Sequence, residues 1–116
     1  MSKASPTQLS LRYLRKSGYT CSIAEHWSEH ARRRIDLFGF VDLVAAGHSE
    51  LLFIQVTSRS NVSSRVAKIM ADPCLSRAIE LARVPGVSIL VHGWDKRDPV
   101  RPAIIRDLTQ RLLDTR

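Results

Sequence analysis

Two short apolar segments separated by a tight turn constrain the fold of this chain more than any other feature of its sequence. Segments 38–45 and 51–57 are rich in β-branched and aromatic residues, and Gly47-His48-Ser49 lies between them. Strand-forming segments of this length on either side of a glycine-containing turn are typical of a β-hairpin. We therefore predict that the two segments pair as antiparallel strands.

Polar residues interrupt both predicted strands at matching positions. Centring the hairpin on its turn places Asp42 opposite Gln55. Because side chains alternate along a strand, Thr57 shares the face of Gln55. A carboxylate inside a sheet is costly unless something compensates it. Either Asp42 bonds to backbone while Gln55 and Thr57 satisfy each other, or these oxygens form a site for a hard cation such as Mg²⁺.

Helix and strand signals on either side of the hairpin predict an α/β fold, with a mixed central sheet flanked by helices. Ser5, Pro6 and Gly18 have the spacing of the N-cap, the first-turn residue and the C-terminal glycine of a helix. Residues 103–113 fit either a strand or a helix. The other predicted elements are a strand over 19–26, a charged connection over 27–35, helices over 61–70 and 75–82, and a strand over 87–92.

The composition is that of a single globular domain spanning residues 1–116, with 44% hydrophobic and 25% charged residues. The 18 lysines and arginines outnumber 11 acidic residues and give a net charge of +7. Most of them are arginine, which binds phosphate bidentately, so the excess indicates either a polyanionic partner such as nucleic acid or a plain solvated surface. No apolar segment is long enough for a membrane span or a secretion signal, so we expect a cytoplasmic protein. Walker A and G-x-S-x-G motifs are missing, which disfavours P-loop and serine-hydrolase chemistry.

The chain resembles the core of the PD-(D/E)XK, or restriction-endonuclease-like, nuclease superfamily in the segment ARRRIDLFGFVDLVAAGHSELLFIQVTSRSNVSSRVAKI. The resemblance continues through GVSILVHGWDKR and covers most of residues 7–97. Within the superfamily, it is to small phage and bacterial nucleases and to Holliday-junction-resolvase-like proteins. It implies an α-β-β-β-α-β core, in agreement with the element order predicted from the residues, and a bacterial or phage-encoded protein.

The resemblance also implies a catalytic site in the predicted hairpin. Asp42 matches the acidic strand residue of the superfamily, and Gln55-Val56-Thr57 matches its E-x-K position. By this resemblance Asp42, Gln55 and the backbone carbonyl of Val56 would bind Mg²⁺ or Mn²⁺. The protein would then be a metal-dependent DNA endonuclease, with branched DNA as one candidate substrate.

Two departures from the superfamily motif bear on catalysis. Gln55 in place of glutamate removes a negative charge, and Thr57 in place of lysine removes the cation that would stabilise the phosphate. Lys68 and Arg65, both on the predicted helix after Thr57, are our candidates for the missing cation. The alternative is a catalytically degenerate nuclease-fold module that binds DNA.

Further basic residues are candidates for DNA contact, the alternative being solvated surface. Arg32, Arg33 and Arg34 lead directly into the predicted hairpin. Arg65 lies on the same predicted helix as Lys68. Asp36 is either a second acid of the site or a salt-bridge partner of the three consecutive arginines.

The resemblance to nucleases also bears on assembly. Nucleases that cut both strands usually present two sites related by a twofold axis, so we expect a homodimer. An exposed sheet edge or the C-terminal segment would form its interface. Trp27 and Trp94 are interpreted as core or interface anchors rather than as base-stacking platforms.

Overall fold

Helices and strands alternate along residues 4–115, the part of the chain that the computed structural model describes. In chain order they are α1 (Pro6–Lys16), β1 (Thr20–Ile23), β2 (His26–Ser28), β3 (Arg33–Ile35), β4 (Leu43–Gly47), β5 (Glu50–Ser58), a short 3₁₀ turn (Arg59–Asn61), α2 (Val62–Ile69), α3 (Cys74–Ala82), β6 (Val87–Trp94), β7 (Ile104–Asp107) and α4 (Thr109–Leu113). None of the helices in this range has the length and hydrophobicity that a bilayer-spanning helix requires.

Helix α1 forms where the sequence predicts it. The Ser5 hydroxyl accepts the N–H of Gln8 at 3.2 Å, which satisfies one of the free donors of the first turn. Pro6 is the first helical residue, and Gly18 lies past the end with a φ of +95°, a conformation that favours glycine. Leu14 is buried beneath the helix, so α1 is fixed on the sheet by its apolar side.

The predicted hairpin is confirmed as β4 and β5, in the predicted register, with Leu43 opposite Ile54. The strand prediction for residues 38–45 is wrong over residues 38–42, because β4 begins only at Leu43. Phe38 and Gly39 have φ values of 56° and 84°, which a β-strand does not accommodate. The apolar character of this segment reflects burial rather than strand pairing, since Phe40 is fully buried in the core.

The main sheet has five strands in the order β1-β4-β5-β6-β7. Strands β5 and β6 run parallel and are connected through α2 and α3, whereas the other neighbours are antiparallel. Helix α1 covers one face of the sheet, and α2, α3 and α4 cover the other. A separate cluster of apolar side chains lies between the helices and the sheet on each face. A mixed sheet between helices confirms the predicted α/β class.

Two predictions outside the central hairpin need correction. The segment 27–35 is not a plain charged connection, because β2 and β3 pair there as a separate two-stranded sheet. A charged segment can form strands at the surface, since pairing satisfies its backbone while its side chains stay in water. The predicted strand over 19–26 is correspondingly divided between β1 and β2. The C-terminal segment contains both predicted alternatives in succession, first β7 at the sheet edge and then α4.

Gly93 determines how closely α2 approaches the sheet. A Cβ at this position would lie 2.3 Å from Cγ2 of Val62, the first residue of α2. Any side chain here would therefore push the start of α2 away from β6. Because α2 carries Lys68, the absence of a side chain at Gly93 also determines how closely this lysine approaches the hairpin.

Candidate functional site

Asp42 lies directly before β4, where the regular pairing of the hairpin ends. Its N–H donates to the carbonyl of Ile54 and its carbonyl accepts the N–H of Ala24, both at 2.8 Å. Its Oδ2 atom accepts the N–H of Val56 at 2.7 Å and the amide of Gln55 at 2.9 Å. The carboxylate is thus held by two donors of β5, and the residue is only 6% exposed.

Two further acids lie against Asp42. Carboxylate oxygens of Glu25, Asp36 and Asp42 are all within 4.8 Å of one another, and we call these three residues the acidic cluster. Lys68 Nζ lies 3.7 Å from Asp36 Oδ2, and Arg34 Nη1 lies 4.0 Å from Glu25 Oε1. Three carboxyl groups therefore face two cations, both on exposed side chains, and the most buried acid has no cationic partner among them.

The environment of Asp42 disfavours its charged form. The pKa of its carboxyl is raised to about 7, first because burial removes the charge from water and also because the Asp36 carboxyl lies beside it. The hydrogen bonds from Val56 and Gln55 lower the pKa and offset only part of this effect. A positive charge placed among the acids would relieve the same electrostatic cost.

Gln55 presents a buried oxygen without a hydrogen-bond partner. The residue is 2% exposed, its amide nitrogen donates to Asp42, and its Oε1 atom accepts from no donor among the residues that the structure describes. Leaving a buried acceptor unpaired costs about 1–3 kcal/mol. The predicted alternative in which Gln55 and Thr57 satisfy each other is not observed, whereas the predicted contact of Asp42 with backbone is.

The acidic cluster and Gln55 together form a set of oxygen donors. Carboxylate and amide oxygens are the ligands of Mg²⁺, Mn²⁺ and Ca²⁺, whereas softer metals prefer nitrogen and sulfur. An unpaired amide oxygen beside a buried carboxylate of raised pKa is what such a cation would compensate. The donor chemistry therefore fits a hard divalent cation.

The other residues predicted from the superfamily motif lie around this set. Thr57 follows Gln55 on the same face of β5 and is buried, and it brings no charge. Val56 reaches Asp42 through its backbone N–H. Lys68 is brought to the acidic cluster by its ion pair with Asp36, whereas Arg65, one turn earlier on α2, makes no ion pair within residues 4–115.

The three consecutive arginines occupy the turn and second strand of the β2–β3 hairpin and are exposed. Arg34 faces the acidic cluster through Glu25, and Arg32 adopts a positive φ of 54° at the turn. Of the two roles considered for Asp36, the structure brings it to Asp42 as a second acid. Its ion pair is with Lys68 rather than with the arginines, because the hairpin directs Arg34 toward Glu25.

Sequence analysis missed Glu25 as a site residue. It follows Ala24, whose N–H donates to Asp42, so the pairing of β1 with β4 carries Glu25 to the acidic cluster. The local signal is a carboxylate at the end of a predicted strand, which is common at surfaces. Only the long-range strand pairing distinguishes this acid from the others.

The chain was also compared with known proteins. It matches no protein-family model, and neither the curated proteins nor the solved structures include a significant match. The geometry of the residues therefore carries the functional interpretation.

The raised pKa of Asp42 predicts a pH-dependent cost in the metal-free protein. The folded carboxyl holds a proton up to about pH 7, whereas the unfolded one releases it near pH 4. Stability therefore falls as pH rises between these values, and the full cost is present above pH 7. In EDTA at pH 8, Asp42→Asn should raise the free energy of unfolding by about 2–4 kcal/mol.

The difference should fall to about a third of this value at pH 5, where the folded carboxyl is protonated and the unfolded one is already largely ionised. Thermal or urea unfolding at both pH values measures it. Asp114→Asn, which neutralises an exposed carboxyl, is the matched control and should have little effect. An Asp42→Asn protein no more stable than wild type at pH 8 would contradict the electrostatic account of this site.

Proposed function

We propose that this protein is a divalent-metal-dependent phosphodiesterase that cleaves DNA, with branched DNA as a candidate substrate. The observation that carries the proposal is the unpaired Oε1 atom of Gln55 beside the buried carboxylate of Asp42. An isolated buried aspartate is adequately explained by hydrogen bonds. A buried aspartate with an unpaired oxygen donor and two more acids beside it is better explained by a cation.

The topology supports the proposal. Three antiparallel strands, β1, β4 and β5, are preceded by α1 and followed by helices that cross over to the parallel strand β6. This is the order that the resemblance to the PD-(D/E)XK superfamily implies for the core. The β2–β3 hairpin, β7 and α4 are additions to that order, and the proposed site lies on the strands of the core.

The ligands would be the residues named by the resemblance together with one or both neighbouring acids. Asp42, Gln55 through Oε1 and the Val56 carbonyl would hold the cation, with Glu25 or Asp36 as further ligands, directly or through water. A bound Mg²⁺ or Mn²⁺ supplies activation of water and neutralisation of charge on the phosphate. The second and third acids restore negative charge that glutamine in place of glutamate removes.

Lys68 would supply the cation that Thr57 does not. Its ammonium group lies at the edge of the acidic cluster and is held there by Asp36 at 3.7 Å. A cation in this place can stabilise negative charge that develops on a phosphate during hydrolysis. The exposed arginines Arg32 and Arg33 would hold the DNA backbone beside the site, consistent with the net charge of +7.

A catalytically degenerate DNA-binding module is the second candidate. It is favoured by two observations at the site, the neutral side chain of Thr57 and the engagement of Lys68 in an ion pair with Asp36. In this case the acidic cluster would bind a cation for structural reasons, and DNA would bind without being cut.

We also propose a homodimer, with the exposed Ile105 on the edge strand β7 at its interface.

Cleavage assays distinguish the two functions. We expect the wild-type protein to cut plasmid or branched DNA with Mg²⁺ or Mn²⁺ and not with EDTA, and Asp42→Ala to abolish cleavage while DNA binding persists. Lys68→Ala should lower the single-turnover rate at saturating DNA by about 10²-fold or more with little change in affinity.

Arg65→Ala is the matched control. Arg65 has the same charge as Lys68 and lies on the same helix, but it makes no ion pair with the acidic cluster. Arg65→Ala should weaken DNA binding without changing the saturated rate. The slope of the logarithm of the binding constant against the logarithm of the salt concentration should decrease in magnitude by about one. Equal saturated rates for wild type and Lys68→Ala would refute the role of Lys68. DNA binding without cleavage by the wild-type protein in either metal would favour the degenerate module.

A further inference from the structure

Trp27 differs from the other tryptophan of the chain in that the fold does not bury it. Trp94 is 3% exposed, and its indole N–H donates to the hydroxyl of Ser10 at 2.7 Å. Trp27 is 54% exposed on the β2–β3 hairpin, which is not part of the main sheet. The interpretation of Trp94 as a core anchor is consistent with this burial, whereas Trp27 contributes little to the core and its ring is open to a partner.

The surroundings of Trp27 indicate the chemistry of that partner. Arg34 is its cross-strand neighbour, so the indole and the guanidinium group share one face of the hairpin. The residues flanking Trp27 are polar, and the remaining strand and turn positions nearby carry two more arginines. Protein interfaces also use tryptophan and arginine, but three exposed arginines on a chain of net charge +7 favour a polyanionic partner. An aromatic ring among exposed arginines is the combination that binds single-stranded nucleic acid, by stacking on a base and pairing with phosphates.

The hairpin also places this ring next to the candidate metal site. Glu25, a member of the acidic cluster, precedes Trp27 by two residues, and two residues along an extended chain span about 7 Å. Arg34 connects the two features, because it lies opposite Trp27 and within 4.0 Å of Glu25. A DNA strand whose phosphate reaches the acidic cluster would therefore carry a neighbouring base toward the indole.

We propose that Trp27 stacks on an unpaired base adjacent to the phosphate at the acidic cluster, so that DNA with unpaired nucleotides beside a duplex is the substrate class. This inference rests on the proposed function, since it assigns the substrate of the same site. Paired bases of intact duplex are stacked on one another and do not present a free face to the ring. The β2–β3 hairpin accordingly selects flaps, gaps or open junctions over blunt duplex.

Fluorescence and binding measurements in EDTA test this inference without cleavage. Tryptophan emission should fall when the wild-type protein binds a duplex with a single-stranded extension, and much less with the blunt duplex of the same sequence. Trp27→Ala should weaken binding of the extended DNA by on the order of tenfold and leave blunt-duplex affinity within about twofold. Trp27→Phe keeps an aromatic ring and should retain most of the preference. Arg33→Ala is the electrostatic control and should weaken both DNAs equally.

Equal loss of affinity for both DNAs in Trp27→Ala, or no loss for either, would overturn the inference. So would an unchanged wild-type emission on binding the extended DNA. Because these measurements need no catalysis, their outcome is separable from that of the cleavage assay. A protein that stacks and does not cut would retain this inference and lose the nuclease proposal, whereas one that cuts both DNAs equally would do the reverse.

Discussion

The buried carboxylate of Asp42 is the constraint on which the site depends. Asp42 lies directly before the start of β4. Its carboxylate accepts the N–H of Val56, which lies beyond the last paired residues of β4 and β5. Burying this charge costs free energy that two hydrogen bonds repay only in part, and its raised pKa reflects the remainder. The placement of Glu25 and Asp36 beside it increases that cost. An arrangement that opposes stability in this way is typical of sites whose ligand completes them.

On the opposite face of the sheet, buried polar groups satisfy one another. There the Ser10 hydroxyl is hydrogen-bonded to Nδ1 of His92 at 2.9 Å and accepts the indole N–H of Trp94. Burial lowers the pKa of His92 to about 4, so the ring is neutral and the network is paired without charge. On the face of Asp42, by contrast, Gln55 Oε1 is the one fully buried side-chain nitrogen or oxygen atom without a partner in the described part of the chain.

Local signals in the sequence predicted the hairpin, its register and the meeting of Asp42 with Gln55, because a short turn fixes which residues lie opposite each other. They also predicted the capped helix α1. They did not predict the contribution of Glu25, which depends on the pairing of β1 with β4 across an intervening hairpin. The pairing of β2 with β3 was missed for a similar reason, since a charged segment gives no periodic signal when neither face of its strands is buried.

The most direct test of the account is the position of a bound metal. Crystals soaked with Mn²⁺ and measured for anomalous scattering should show one strong peak with oxygens of Asp42 and Gln55 at on the order of 2 Å. The same soak of Asp42→Ala should lose that peak. A Mn²⁺ peak elsewhere with none between Asp42 and Gln55, or no peak at all at saturating Mn²⁺, would contradict the proposal that this buried oxygen set is a metal centre.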